Sequence, residues 1–208
     1  MDSAEAKAAK NERGDWKACI DRIRDNDAKA VKCSFKHLEP HSTQLGQALA
    51  ENTKLRYLDL SCNSFSPVRA RVGTQCLCGA GSIVFDGAAI GTIPSPELVV
   101  CLRCNGAWQV GAAHFSSGLY KNTNLIALDL SANALQSAGT KSVVKALGAH
   151  PTLRWLDLHA NCIRDDAVND IVALITQSKS LRSLNIRANY FTDETVDLLA
   201  STLHTYSQ

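Results

Sequence analysis

Apolar residues recur in the second half of the chain at a fixed spacing of 28 residues. Each unit opens with the pattern L-x-x-L-x-L-x-x-N, in which Ile once replaces the third Leu. A period of this length is typical of repeat folds, in which each unit buries its apolar face against its neighbours. The three copies are Leu125, Leu128, Leu130 and Asn133; Leu153, Leu156, Leu158 and Asn161; and Leu181, Leu184, Ile186 and Asn189.

Two periodicities alternate within each unit. Leucines two positions apart, such as Leu128 and Leu130, lie on one face of a strand. Apolar residues four positions apart, such as Val143 and Leu147, lie on one face of a helix. Each unit is therefore predicted to contain one short strand and one α-helix.

The pattern resembles the ribonuclease-inhibitor type of leucine-rich repeat over roughly residues 28–66 and 109–208. The resemblance implies short parallel strands on a concave face and α-helices on a convex face. The expected fold is thus an α/β leucine-rich-repeat solenoid of about five repeats with an irregular insertion.

A weaker form of the unit is predicted nearer the N-terminus. The strand pattern recurs at residues 55–63, and Ile20 and Ile23 are spaced for one face of a preceding helix. A repeat fold needs its first apolar face covered. We therefore predict a polar tail and capping helix over residues 1–27 and a repeat domain over residues 28–208.

An irregular segment interrupts this domain at about residues 67–108. From Leu55 to Leu125 is 70 residues, or two and a half periods, and the excess is rich in Gly, Cys and Pro. One interpretation is a loop inserted into a repeat. A second is that its last part is a degenerate repeat, since Val100 and Leu102 fall in phase with the later units. A third is translated non-coding sequence from a faulty gene model.

An Asn follows each predicted strand. A short amide at a tight turn can bond backbone groups that the turn leaves unpaired. We therefore predict a structural ladder, and not a functional site, formed by Asn63, Asn133, Asn161 and Asn189.

Composition narrows the class of protein. The chain has 208 residues, 45% hydrophobic content and a net charge of +2, which does not favour a nucleic-acid partner. The first residues are polar and resemble no signal peptide, and no apolar run is long enough for a membrane span. These features predict a cytoplasmic protein with reduced cysteines and no membrane partner. Common catalytic motifs do not occur, which predicts a protein that is not an enzyme.

The irregular segment carries one constellation with metal-binding character. Cys76 and Cys78 are followed by Cys101 and Cys104, and four thiolates can close a tetrahedral zinc site. C-x-C is a less usual half-site than C-x-x-C, so buried or incidental cysteine is the favoured interpretation and no cofactor is predicted.

Strand residues that point away from the core are predicted to form the binding surface. Asp129 and Asp157 fall on neighbouring predicted strands, where like charges destabilise the protein unless a cation neutralises them. A Trp beside a His and an Arg has the composition of an interaction hot spot. The predicted concave-face residues are Tyr57, Asp59, Asp129, Trp155, Asp157, His159 and Arg187.

We accordingly expect a protein-interaction module or scaffold whose partner is another protein, bound on the concave face. An alternative follows from the resemblance, because some repeat proteins of this type resemble activators of small GTPases. Zinc binding by the cysteines is a third hypothesis.

Overall fold

The computed structural model describes residues 16–25, 31–32, 42–55, 57–60, 98–104, 115, 118–119 and 121–206. Asn63, Cys76 and Cys78 lie outside these residues, as do most of residues 67–108. In chain order the elements are α1 (Trp16–Arg24), β1 (Val31–Lys32), α2 (Ser42–Glu51), β2 (Tyr57–Asp59), β3 (Leu98–Cys101), β4 (Leu125–Asp129), α3 (Gln136–Leu147), β5 (Trp155–Asp157), a 3-10 turn (Asp165–Ala167), α4 (Val168–Gln177), β6 (Ser183–Asn185) and α5 (Asp193–Tyr206).

The six strands form one sheet whose strand order follows the chain, and every neighbouring pair is parallel. A helix follows β4, β5 and β6 in turn, so chain and space advance together. The predicted α/β arrangement of short parallel strands and helices is confirmed.

Strand β3 shows what the end of the irregular segment does. Val100 pairs with Leu128 and Leu98 pairs with Leu125, so β3 crosses with one residue fewer than β4 and the register shifts there. After the strand, the Cys104 amide donates to Ser131 O at 3.1 Å. This pairing favours the interpretation in which the last part of the segment is a degenerate repeat.

One face of the sheet packs on the helices. The pattern leucines of β4 and β5 are fully or almost fully buried, together with Val143 and Ile171 from the helices. Their counterparts around β6, including Leu181 and Leu184, are only partly buried. Burial therefore decreases towards the last unit.

The backbones of Gly46 on α2 and Gly118 approach each other with no side chain between them. A Cβ placed on Gly118 would lie 2.4 Å from Gly46 C and 2.6 Å from Gly46 Cα. Phe115 and Leu119 flank this contact and are fully buried. The contact requires glycine because the opposing atoms belong to the backbone and cannot rotate away.

Candidate functional site

The Asn residues after the strands form the predicted ladder. Asn133 N–H donates to Asn161 Oδ1 at 3.0 Å, and Asn161 N–H donates to Asn189 Oδ1 at 2.9 Å. The side-chain Nδ2 of Asn161 also donates to the carbonyls of Leu130 and His159 at 2.9 and 3.2 Å. Each side chain thus bonds backbone groups of two units, and the structural role of Asn133, Asn161 and Asn189 is confirmed.

A second set of polar side chains, here called the second ladder, accepts backbone amides at the other end of the strands, and the sequence analysis missed it. Each member lies three residues before the first pattern leucine and accepts that leucine's amide. Asn52 accepts Leu55 N–H and Asn122 accepts Leu125 N–H, both at 2.7 Å. The ladder comprises Asn52, Asn122, His150 and Ser178.

His150 fills a ladder position otherwise filled by an amide or a hydroxyl. Its Nδ1 accepts Leu153 N–H at 3.2 Å and Thr152 N–H at 3.4 Å, so this nitrogen must be unprotonated. Its Nε2 is buried without a hydrogen bond of good geometry. Burial lowers the pKa of His150, opposed by the backbone carbonyls of Leu119 and Asn122. His150 is therefore a neutral structural histidine.

The opposite face of the sheet, here called the outer face, carries the predicted binding residues. Trp155 pairs with Ala127 and Ser183, and Asp157 pairs with Asp129 and Asn185. These columns match the 28-residue spacing. Strand β3 adds Val99 and Cys101 to them, between β2 and β4.

Each acidic or amide residue at a strand end also stabilises its own turn. Asp129 Oδ1 accepts Ser131 N–H at 2.9 Å, and Asp157 Oδ1 accepts His159 N–H at 2.8 Å. These are Asx turns, in which a side chain replaces a backbone acceptor. The acidic column therefore has a structural role in addition to any role in binding.

The second carboxylate oxygens bond across the strands. Cys101 Sγ donates to Asp129 Oδ2 at 3.7 Å, and Asn185 Nδ2 donates to Asp157 Oδ2 at 3.0 Å. Burial raises the pKa of Cys101 to about 12, and the Asp129 charge acts in the same direction. Cys101 is thus a neutral thiol that donates to its acidic neighbour.

The predicted repulsion between neighbouring carboxylates is visible at Asp157. Burial raises its pKa, and the charge of Asp129 raises it further. The His159 amide, the Asn185 amide and the His159 charge oppose this shift. Cationic and dipolar groups therefore offset part of the like-charge cost.

Trp155 is half-buried on the outer face. It packs against a small apolar cluster of Val99, Ile126 and Ala127, all nearly or fully buried. Next to this column, His159 is half-buried and Arg187 is exposed. Trp155 therefore presents one edge while its other side is held by neighbouring strands.

The remaining predicted residues are placed differently. Asp129 is only 5% exposed, so its carboxylate mainly holds the strand end. Asp59 is half-buried on β2, in the same column as Cys101, and the Tyr57 backbone belongs to β2.

The described cysteines include one in a disulfide bond and three that are not. Cys19 is disulfide-bonded, so the expectation of reduced thiols is wrong for this residue, and its partner lies outside the described residues. Cys101, Cys104 and Cys162 are not in disulfide bonds. Within the described ranges, no group of three or more His, Cys, Asp or Glu is placed to hold a metal ion. The four-cysteine zinc site, the less favoured hypothesis, is not tested because Cys76 and Cys78 fall on undescribed residues.

No helix in the described part of the chain combines the length and apolar character that crossing a membrane requires.

Comparison with known proteins supports the leucine-rich-repeat family. The family model described as leucine rich repeat matches residues 51–68 and 121–144. Among solved structures, actin-binding site 2 of leiomodin-1 is similar with a TM-score of 0.57 and 14% identity, covering 93% of this chain and 90% of that chain. The C-terminal domain of tropomodulin from Caenorhabditis elegans has a TM-score of 0.52 and 12% identity, covering 93% of each chain. No curated protein matches significantly in sequence. At these identities the two structures show a shared fold.

Proposed function

We propose that the chain is a ribonuclease-inhibitor-like leucine-rich-repeat solenoid that acts as a non-enzymatic protein-interaction module in the cytoplasm. About five repeats present their outer face to the partner. The family match and the parallel sheet in chain order support this architecture.

The observation that carries the proposal is the position of Trp155. Packing on Val99 and Ala127 fixes one side of the indole, so little side-chain entropy remains to be lost on binding. Asp157 and the exposed Arg187 supply charges of both signs nearby. An aromatic anchor with charged neighbours is typical of binding hot spots.

We divide the predicted site by accessibility. Trp155, Asp157, His159 and Arg187 make the direct contacts. Asp129 acts on the site indirectly, because its carboxylate is buried and its charge raises the pKa of Asp157. Tyr57 and Asp59 extend the surface along β2.

The proposal is tested by measuring whether variants of the outer face bind a partner more weakly than the unmodified protein does. Actin is the first partner to test, by cosedimentation with filaments and by binding of monomers. The reason is that the fold of this chain is similar to that of actin-binding site 2 of leiomodin-1. Affinity capture with quantitative mass spectrometry extends the search to other proteins. Trp155→Ala and Asp157→Lys should weaken capture of the specific partner by about tenfold or more, the size of a hot-spot loss.

Tyr190→Ala is the matched control, because Tyr190 is an aromatic residue exposed to 63% and lies outside the outer-face columns. It should leave capture unchanged. If both outer-face variants captured every partner as the unmodified protein does, the site would be wrong. A specific effect on nucleotide hydrolysis by a small GTPase would instead support the regulatory alternative. About one zinc per purified chain would support the metal-binding alternative.

A further inference from the structure

A basic groove lies at the N-terminal ends of β4, β5 and β6, away from the strand-end carboxylates. Three successive turns build it, one before each strand, and its volume is about 420 Å³. The lining residues are Thr123, Asn124, Ile126, Pro151, Thr152, Arg154, Lys179, Ser180 and Arg182.

The charged residues that line this groove in the described part of the chain are all basic. They are Arg154, Lys179 and Arg182, and no Asp or Glu occurs among the described lining residues. Arg182 N–H donates to Arg154 O at 2.8 Å, which places the two arginines on adjacent strands. A ligand that carries negative charge would complement these cations.

Two of the cations are available to such a ligand. Neither Lys179 nor Arg182 meets a carboxylate within the part of the chain that the structure describes. Arg182 Nη1 donates to the carbonyls of Lys179 and Leu181 at 3.2 and 3.1 Å, which orients the guanidinium and leaves its other N–H groups to donate.

The neutral groups of the groove favour a carboxylate over a phosphate. Thr152 Oγ1 donates to Leu125 O at 2.8 Å, and Ser180 Oγ donates to His150 O at 2.7 Å. The amides of Arg154 and Arg182 bond the neighbouring strand. Compact phosphate sites use converging amide donors, often at a helix N-terminus. Here these two hydroxyls and these two amides already donate within the protein, so recognition falls to cations spread over successive turns.

We propose that this groove binds a carboxylate-rich peptide segment of a partner protein. An extended acidic segment matches an open groove whose cations come from successive turns, and exposed Pro151 offers an apolar contact to its methylene groups. The inference rests on the proposed protein-binding function and adds a site separate from Trp155.

The test uses a fluorescent oligoglutamate peptide and the full chain at low ionic strength, with anisotropy as the readout. Lys179→Glu and Arg182→Glu should each weaken peptide binding by about fivefold or more, since reversal adds repulsion to a lost attraction. Lys145→Glu is the matched control, because Lys145 is an exposed lysine on α3 outside the groove and changes net charge equally. It should weaken binding by less than about twofold. Circular dichroism checks that each variant is folded.

Further outcomes separate the two proposals. Trp155→Ala should leave oligoglutamate binding intact even where it abolishes capture of the partner. The groove proposal is overturned if the unmodified protein does not bind the peptide, if Lys145→Glu weakens binding as much as Lys179→Glu, or if inorganic phosphate displaces the peptide at concentrations where acetate of equal ionic strength does not. Loss of partner capture in Trp155→Ala would leave the proposed function standing in each case.

Discussion

His150 should make the stability of this protein sensitive to mild acid. Its Nδ1 accepts two backbone amides, so protonation removes an acceptor and places a charge in a buried site. The folded-state pKa is lowered from the usual 6.5, so below about pH 6.5 the unfolded chain binds a proton that the folded chain resists. Stability is fully present above that pH and falls as pH decreases towards the folded-state pKa. For this single proton the slope cannot exceed about 1.4 kcal/mol per pH unit, and it vanishes once both states are protonated.

His150→Asn isolates this effect, because Asn already fills the equivalent position at Asn52 and Asn122. Urea unfolding of both proteins from pH 8 to pH 5 gives two stability profiles, in which the other histidines contribute equally. The variant should remain within about 1 kcal/mol of the unmodified protein at pH 8 and should lose less stability on acidification. Parallel profiles across the whole range would refute the assignment of His150 as a neutral acceptor.

Three further predictions concern stability and are measured by urea or thermal unfolding. Asn161→Ala should lower the free energy of unfolding by about 2–4 kcal/mol, because it leaves several buried backbone groups without a hydrogen bond. The control Asn169→Ala changes an exposed side chain and should lower it by less than about 0.5 kcal/mol. Equal losses in the two variants would contradict the structural role of the Asn ladder. Gly118→Ala should destabilise the protein by about 1–3 kcal/mol, because the added Cβ would overlap backbone atoms of Gly46. Gly148→Ala is the control and should be nearly neutral, because its Cβ would come no closer than 3.3 Å to any atom beyond its chain neighbours. Asp157→Asn should gain a few tenths of a kcal/mol relative to the unmodified protein as pH rises through the raised pKa of Asp157, because ionisation of this carboxyl opposes folding. This change is added to a pH-independent loss for the acceptor that Asn lacks, and a difference that does not vary with pH would refute the charge argument.

The sequence predicts most of the repeat geometry because the same contacts recur at one spacing. A 28-residue shift from Asp129 to Asp157 in the chain becomes a single step between adjacent strands, so the outer-face columns follow by counting. The ladder of Asn161 is predictable for the same reason, since residue identity is kept from unit to unit.

Other features escape the pattern for physical reasons. The second ladder uses amide, imidazole and hydroxyl acceptors at equivalent positions, so no single residue type marks it. Strand β3 has one residue fewer between its paired positions, which disguises its leucine pattern. The accessibility of Asp129 depends on packing from several elements, and spacing alone does not determine it.

The decrease in burial towards β6 implies graded hydrogen exchange along the chain. Elements that pack mainly on their neighbours open in segments, at free energies set by local contacts. Amides of β4 should therefore exchange most slowly, and those of β6 and α5 much faster. The proposed contacts straddle this gradient, with Trp155 on the well-protected side and Arg187 beyond it. A partner that engages both residues would have to immobilise the last unit, so slower exchange there would report binding at a distance from the indole itself.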